Sequence, residues 1–292
     1  MAHPLQTMLQ KYDLKTRENR DHAIREIAQE LALLGLWRSK FFEHAAFCGG
    51  TCLRIFHGLR RFSEDLDFSL VKTDSSYDMR PYLKAISDEL SSFGFVFSVE
   101  KKEKESKKSV VRSAFIKGNT VKNLLVLGLP DAIVRGYDPK QKISIKIEID
   151  TNPPPYAAYE TLTLLVPFPF QVRLFNKPCL FAGKLHAILC RPWAKGRDFY
   201  DFIWFIQNNV PCSLKHLKAR MVQTGHLKVT TSLTGEVLAR LLKKKFEETD
   251  WAGVKHDLLP FINDAEEISL WGEKFFSGLI GRIREELPGQ NR

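Results

Sequence analysis

The chain is poor in the patterns that assign a protein quickly. Its five cysteines (Cys48, Cys52, Cys179, Cys190 and Cys212) are scattered over 292 residues and form no CxxC. Neither a zinc site nor a disulfide framework is therefore expected, and the thiols read as reduced core groups. No apolar run approaches the roughly 18 residues that cross a bilayer. The opening stretch MAHPLQTMLQKYDLKTRENRD lacks the apolar block of a signal peptide, so the expected setting is cytoplasmic. GxSxG, Walker A, GxGxxG and HExxH are all missing, which leaves hydrolase, P-loop, dinucleotide and zincin readings without an anchor. His44, His57, His186 and His216 show no ligand spacing with one another or with a cysteine, and are read as structural. Internal repeats and low-complexity blocks are absent as well.

What is present is a globular composition, 44% hydrophobic and 27% charged, in a chain long enough for two domains. Lys and Arg number 44 against 34 Asp and Glu, a net charge of +10. That balance favours an anionic partner such as RNA, DNA or a nucleotide.

Periodicity divides the chain in two. Residues 17–36 carry Ile24, Ile27, Leu31 and Leu34 at helical spacing. HAAFCGG reads as a buried strand ending in a glycine turn, TCLRIFHG as a short helix stopped by Gly58, and DLDFSL as the next strand. A second helix is expected within 75–95. Extended runs follow at FVFSVEKK, SVVRSAFIKG, VKNLLVLGL and KISIKIEID, and LTLLVPFPF reads as one more extended piece. The basic stretch KKEKESKK (101–108) is most simply a solvated hairpin tip. After residue 176 the patterns are helical. The expected organisation is an α/β domain over residues 1–175, N-terminal helix included, and a helical domain over 176–292.

Chemistry concentrates in CGGTCLRIFHGLRRFSEDLDFSL (48–70). Alternate residues of a strand project from one face, so Asp65 and Asp67 point together. Two close carboxylates repel unless a cation lies between them, and hard oxygen ligands with open positions suit Mg²⁺. Gly49 and Gly50 lead into a helix at Thr51, and free N–H groups at a helix start attract phosphate. The Thr51 hydroxyl can cap the helix or contact that phosphate. In KISIKIEID, Lys146, Glu148 and Asp150 share a strand face. Glu148 is the expected third carboxylate and Asp150 its reserve. On later helices Lys184 and Arg191 align, and Asp198 and Asp201 follow at i, i+3.

The ordered set GGT, RxSxDLDF, KIE, CxxxxK and DxxD resembles the nucleotidyltransferase AbiEii/AbiGii toxin family of the polymerase-β-like superfamily. It appears here as Gly49-Gly50-Thr51 with Asp65 and Asp67, Lys146 with Glu148, Cys179 with Lys184, and Asp198 with Asp201. One departure is Glu148, where the family usually has aspartate. The resemblance implies an α+β fold, a mixed sheet flanked by helices followed by an α-helical bundle, with the active site in a cleft between them. It also implies two-metal transfer of NMP from an NTP, with Asp65, Asp67 and Glu148 holding Mg²⁺ or Mn²⁺. In this scheme Gly49, Gly50 and Thr51 cradle phosphates, Lys184 neutralises their charge, and Asp198 and Asp201 orient the lysine, base or acceptor. Arg61 and Ser63 contact phosphate or brace the loop, and Lys146 and Arg191 complete the nucleotide-binding set. Implied partners are an NTP, an RNA acceptor such as tRNA, and an antitoxin protein. Two other readings compete: a catalytically eroded nucleotide- or RNA-binding module of the same fold, and a glycosyltransferase that uses DxD for a metal–nucleotide-sugar complex.

Overall fold

Thr16 accepts the Asn19 N–H at 3.1 Å and caps the first long helix of the computed structural model, which describes residues 4–101 and 111–286. The chain divides into two compact units. The first comprises Met1–His57, Ser63–Pro153 and Glu160–Leu174; the second comprises Gly58–Phe62, Pro154–Tyr159 and Phe175–Arg292.

The first unit begins with α1 (Pro4–Leu9) and α2 (Arg17–Arg38). It continues with β1 (Ala45–Cys48), α3 (Gly49–His57), β2 (Asp65–Leu70) and α4 (Arg80–Ser92). Next come β3 (Phe97–Lys101), β4 (Val111–Asn119), α5 (Thr120–Val126), α6 (Asp131–Val134) and β5 (Lys142–Asp150). Strands β6 (Tyr159–Leu164) and β7 (Phe170–Phe175) complete a seven-stranded sheet in the order β3-β4-β5-β2-β1-β7-β6. It is mixed: β2 runs parallel to β5 and antiparallel to β1, while β1 runs parallel to β7.

The stripe read from the sequence of α2 is buried, with Ile24, Ile27 and Leu31 at 0% exposure and Leu34 at 1%. Burial then spreads around the helix, because α4 crosses it closely. A Cβ at Gly35 would lie 2.9 Å from the Ala85 carbonyl and 3.2 Å from Ile86 Cα, so only glycine admits this approach. Across the sheet, Leu66 and Phe68 of β2 and Ile147 and Ile149 of β5 are buried on one face, leaving Asp65, Asp67 and Glu148 half-buried on the other.

Two local expectations are corrected. VKNLLVLGL is not a strand: Asn119 accepts the Lys122 N–H at 3.0 Å and starts α5, whose Leu124 is fully buried. A short apolar run satisfies either period, and the cap decides it. LTLLVPFPF is not one extended piece but supplies the end of β6 and the start of β7. Of the expected hairpin tip, Lys101 ends β3 and residues 102–108 lie outside the described residues.

The second unit contains α7 (Lys177–Cys190), α8 (Gly196–Gln207), α9 (Leu214–Gln223), α10 (Gly235–Glu247), α11 (Trp251–Leu258) and α12 (Glu273–Leu279). Its core is aromatic. Phe181 stacks on Phe205 with ring centroids 4.5 Å apart, and Phe276 stacks on Trp251 at 4.7 Å while meeting Phe199 edge-on at 5.3 Å. Phe199, Phe202 and Phe205 take the inward positions of α8, and Ile203 is only half-buried.

Candidate active site

Strand β2 sets the site in the first unit. Its pairing with β5 places Asp65 opposite Lys146, Asp67 opposite Glu148 and Ser69 opposite Asp150. Paired residues of a parallel ladder share a face, and neighbouring strands lie about 4.8 Å apart. Asp65, Asp67 and Glu148 thus stand as neighbours on one surface. Asp150 is farther along and spends Oδ1 on the Asn152 N–H at 2.9 Å, so register favours Glu148 over its reserve.

The glycine turn lies directly against these acids. Gly49 begins α3 with φ +79°, a conformation that L side chains rarely adopt. A Cβ there would lie 3.0 Å from Asp67 Cβ and would collide with Asp67 Oδ2. The N–H groups at the start of α3 and the Asp67 carboxylate are therefore immediate neighbours. Helix α3 begins at Gly49 itself, two residues earlier than expected. The Thr51 hydroxyl is not a helix cap: it is buried, donates to the Asp65 carbonyl, and meets the Ser63 hydroxyl at 2.9 Å. Gln29 in turn donates to the Ser63 carbonyl at 3.2 Å. Thr51 and Ser63 brace the start of β2 and so fix the aspartates.

Glu148 has its own partners. Lys146 Nζ lies 2.6 Å from Glu148 Oε1, and Ser113 on β4 donates to the same oxygen at 3.3 Å. Both ends of the ion pair are about one-third exposed (29% and 31%), so it is solvated and easily exchanged for another ligand. The oxygens of Asp65, Asp67 and Glu148 share a face without all lying within 4.8 Å of one another. As a donor set of hard oxygens beside N–H groups, they fit a divalent cation that bridges to phosphate.

The second unit gathers the remaining residues into a charged network. Arg61 is 2% exposed and reaches Asp201 through Nε and Nη2, both at 2.6 Å, while Nη1 donates to the Phe62 carbonyl at 2.9 Å. Lys184 Nζ lies 2.6 Å from Asp201 and 3.1 Å from Asp198, and Arg191 pairs with Asp198. Burial alone would raise the Asp201 pKa, but Arg61 and Lys184 outweigh it and hold the carboxyl below its ordinary range. Burial likewise opposes the Lys184 charge, and Asp201 and Asp198 overcome it, so its pKa is raised. Lys184 is a fixed cation, not a base. Arg61, expected to contact phosphate or brace the loop, is committed to Asp201. Arg197 lies over the Phe261 ring at 4.2 Å. Cys179 is buried and accepts the Ala158 N–H at 3.3 Å.

The first unit thus brings together Gly49, Gly50, Thr51, Ser63, Asp65, Asp67, Lys146 and Glu148. The second brings together Arg61, Lys184, Arg191, Asp198 and Asp201. Sequence reading missed Ser113, whose partner is set by β-register alone, and the link from Arg61 to Asp201, 140 residues away. It also read His186 as having no ligand partner. His186, Cys190 and His226 form the one group of three such side chains, among the described residues, whose ligand atoms lie within 4.8 Å of one another. The i, i+4 spacing of His186 and Cys190 on α7 was the available signal.

A family match identifies the chain as a nucleotidyltransferase. A family model described as nucleotidyl transferase AbiEii toxin, type IV TA system, matches residues 31–275, and the chain belongs to that family. Among solved structures, a proposed nucleotidyltransferase from H. pylori is similar at 18% identity and TM-score 0.49, covering 88% of this chain and 90% of that one. JHP933 from Helicobacter pylori is similar at 18% identity and TM-score 0.46, covering 88% and 89%. An antigenic nucleotidyltransferase-like protein from Paracoccidioides brasiliensis is similar at 14% identity and TM-score 0.40, covering 82% and 95%. Among curated proteins, none matches the chain. No helix among the described residues is long and apolar enough to cross a membrane.

Proposed function

We propose that this nucleotidyltransferase transfers NMP from an NTP to an RNA acceptor, tRNA being one candidate, with Mg²⁺ or Mn²⁺ as cofactor. In this reading the protein is the toxin of a pair with a cognate antitoxin. The observation that carries it is the register of Asp67 against Glu148 on the face where Gly49 touches Asp67. The cation would be held by Asp65, Asp67 and Glu148, and supplies positive charge at the reacting phosphate. The N–H groups of Gly49 and Gly50 bind the outer phosphates. Glu148, freed from Lys146, draws the proton from the attacking hydroxyl, and Lys146 offsets phosphate charge. Lys184, kept protonated by Asp198 and Asp201, is a fixed cation of the second unit. The net charge of +10 supports an RNA partner.

The Lys146–Glu148 pair also supports a second reading, a binding module that retains the fold without turnover. One experiment separates the two. Wild type is incubated with each labelled NTP, total RNA and Mg²⁺ or Mn²⁺, beside Asp67→Asn. Label in RNA from wild type, lost in Asp67→Asn, supports transfer. Failure to label RNA with any NTP and either metal sinks the enzymatic reading, and RNA retention without product favours the module.

A further inference from the structure

A second set of chemically active side chains lies in the second unit, apart in composition from the carboxylate site. His186 and Cys190 are separated by one helical turn on α7, so their side chains leave the helix on one face. His226 reaches the same place through the end of α9. There the Gly225 N–H bonds the Val222 carbonyl at 3.0 Å and the His226 N–H bonds the Met221 carbonyl at 2.8 Å, with Gly225 at φ +77°. This pair of reversed bonds is the Schellman arrangement, which fixes where the residue after the glycine sits.

The imidazoles converge on one point. His186 Nε2 and His226 Nδ1 each lie 2.9 Å from the Thr224 hydroxyl oxygen, whose own proton goes to the Arg220 carbonyl at 2.9 Å. The ligand atoms of His186, Cys190 and His226 all lie within 4.8 Å of one another. Around a tetrahedral zinc, bonds of about 2.0–2.3 Å put ligand atoms roughly 3.3–3.7 Å apart. Closing the difference takes a movement of about 1 Å, which the exposed His226 ring supplies by releasing the Thr224 hydroxyl.

We propose that His186, Cys190 and His226 form a binding site for a borderline-soft divalent cation, Zn²⁺, that ties the end of α7 to the turn after α9. Two imidazoles and a thiolate select zinc over the hard cations that suit Asp65 and Asp67. Three protein ligands leave a fourth position for water or an exogenous group. Burial pushes the Cys190 thiol up to about 11, Lys245 and Arg220 only partly offsetting it, so the metal must displace a held proton. Binding expels that proton and leaves the sulfur bonded to the metal. Arg191 follows Cys190 directly and pairs with Asp198, so an occupied site would also steady that end of the charged network.

The test uses the full chain, freed of metal by dialysis and titrated with Co²⁺ followed by Zn²⁺. The expected result is a thiolate-to-cobalt charge-transfer band with tetrahedral visible bands, saturating at a single equivalent and displaced by Zn²⁺. Cys190→Ser should abolish the band. His226→Ala, an exposed change that spares the core, should weaken binding by more than the roughly 10- to 100-fold that losing an outer-shell partner costs. Cys48→Ser and Asp67→Asn should leave it unchanged. No thiolate band in wild type, a band that survives Cys190→Ser, or His226→Ala with wild-type affinity would each overturn the proposal.

Discussion

Replacing Asp201 by asparagine isolates one charge in the second unit. The side chain is 0% exposed, and it receives Arg61 Nε, Arg61 Nη2 and Lys184 Nζ, each at 2.6 Å. Asparagine has nearly the same volume, so no cavity opens and the loss is electrostatic. It strands Arg61, whose side chain is 1% exposed, with only the Phe62 carbonyl as a further acceptor among the described residues, while Lys184 keeps Asp198 at 3.1 Å. Removing one partner of a buried pair costs about 3–5 kcal/mol, a large part of the 5–15 kcal/mol that holds a domain folded. The assay is urea denaturation followed by tryptophan fluorescence. It reads mainly the second unit, because Trp193, Trp204, Trp251 and Trp271 lie there and only Trp37 lies in the first. The sign with pH follows from the depressed carboxyl. Its contribution is present above the unfolded value near 3.9 and is lost as pH falls through the lower folded value. Wild type should show this acid loss and Asp201→Asn should not. A destabilisation below about 1 kcal/mol would refute the reasoning, since it would mean the pair is solvated. The double change Arg61→Met with Asp201→Leu should recover most of the loss, because no buried charge is then left unpaired, Lys184 keeping Asp198.

Two further outcomes test the first unit. Gly49→Ala should cost about 1–2 kcal/mol for the positive φ, measured by thermal melting. Its drop in nucleotide incorporation should be disproportionate, because the new methyl displaces the Asp67 carboxylate; wild-type turnover would show that this contact does not matter. Burial raises the Glu30 pKa from 4.5 to about 7 despite Lys11 at 3.1 Å. Between those values the folded chain holds a proton that the unfolded chain releases, so this group's stabilisation is full in acid and lost as pH rises through about 7. Glu30→Gln should flatten that slope and raise stability at pH 8 by up to about 2–3 kcal/mol, read from denaturation midpoints across pH; an unchanged slope would count against it.

Much of the first unit was legible in local pattern. Alternation in DLDFSL and KISIKIEID placed Asp65 with Asp67, and Lys146 with Glu148, because a strand's side chains alternate by covalent geometry whatever it pairs with. The apolar stripe of α2 and the stop at Gly58 follow from helical period and from glycine's tolerance of positive φ. Pairing is different, since a register belongs to two strands and is decided by what their buried faces must match. That is why only the tertiary structure could set Asp67 against Glu148 and turn Asp150 to a loop. The same holds for the run at VKNLLVLGL, which suited a strand or a helix until Asn119 capped it. Arg61 met Asp201 and His186 met His226 through packing alone. The sequence by itself determined which residue types were present and which face of its own element each would take. Which elements became neighbours was a matter of burial summed over the fold, and that sum made Arg61 the buried partner of Asp201, 140 residues away.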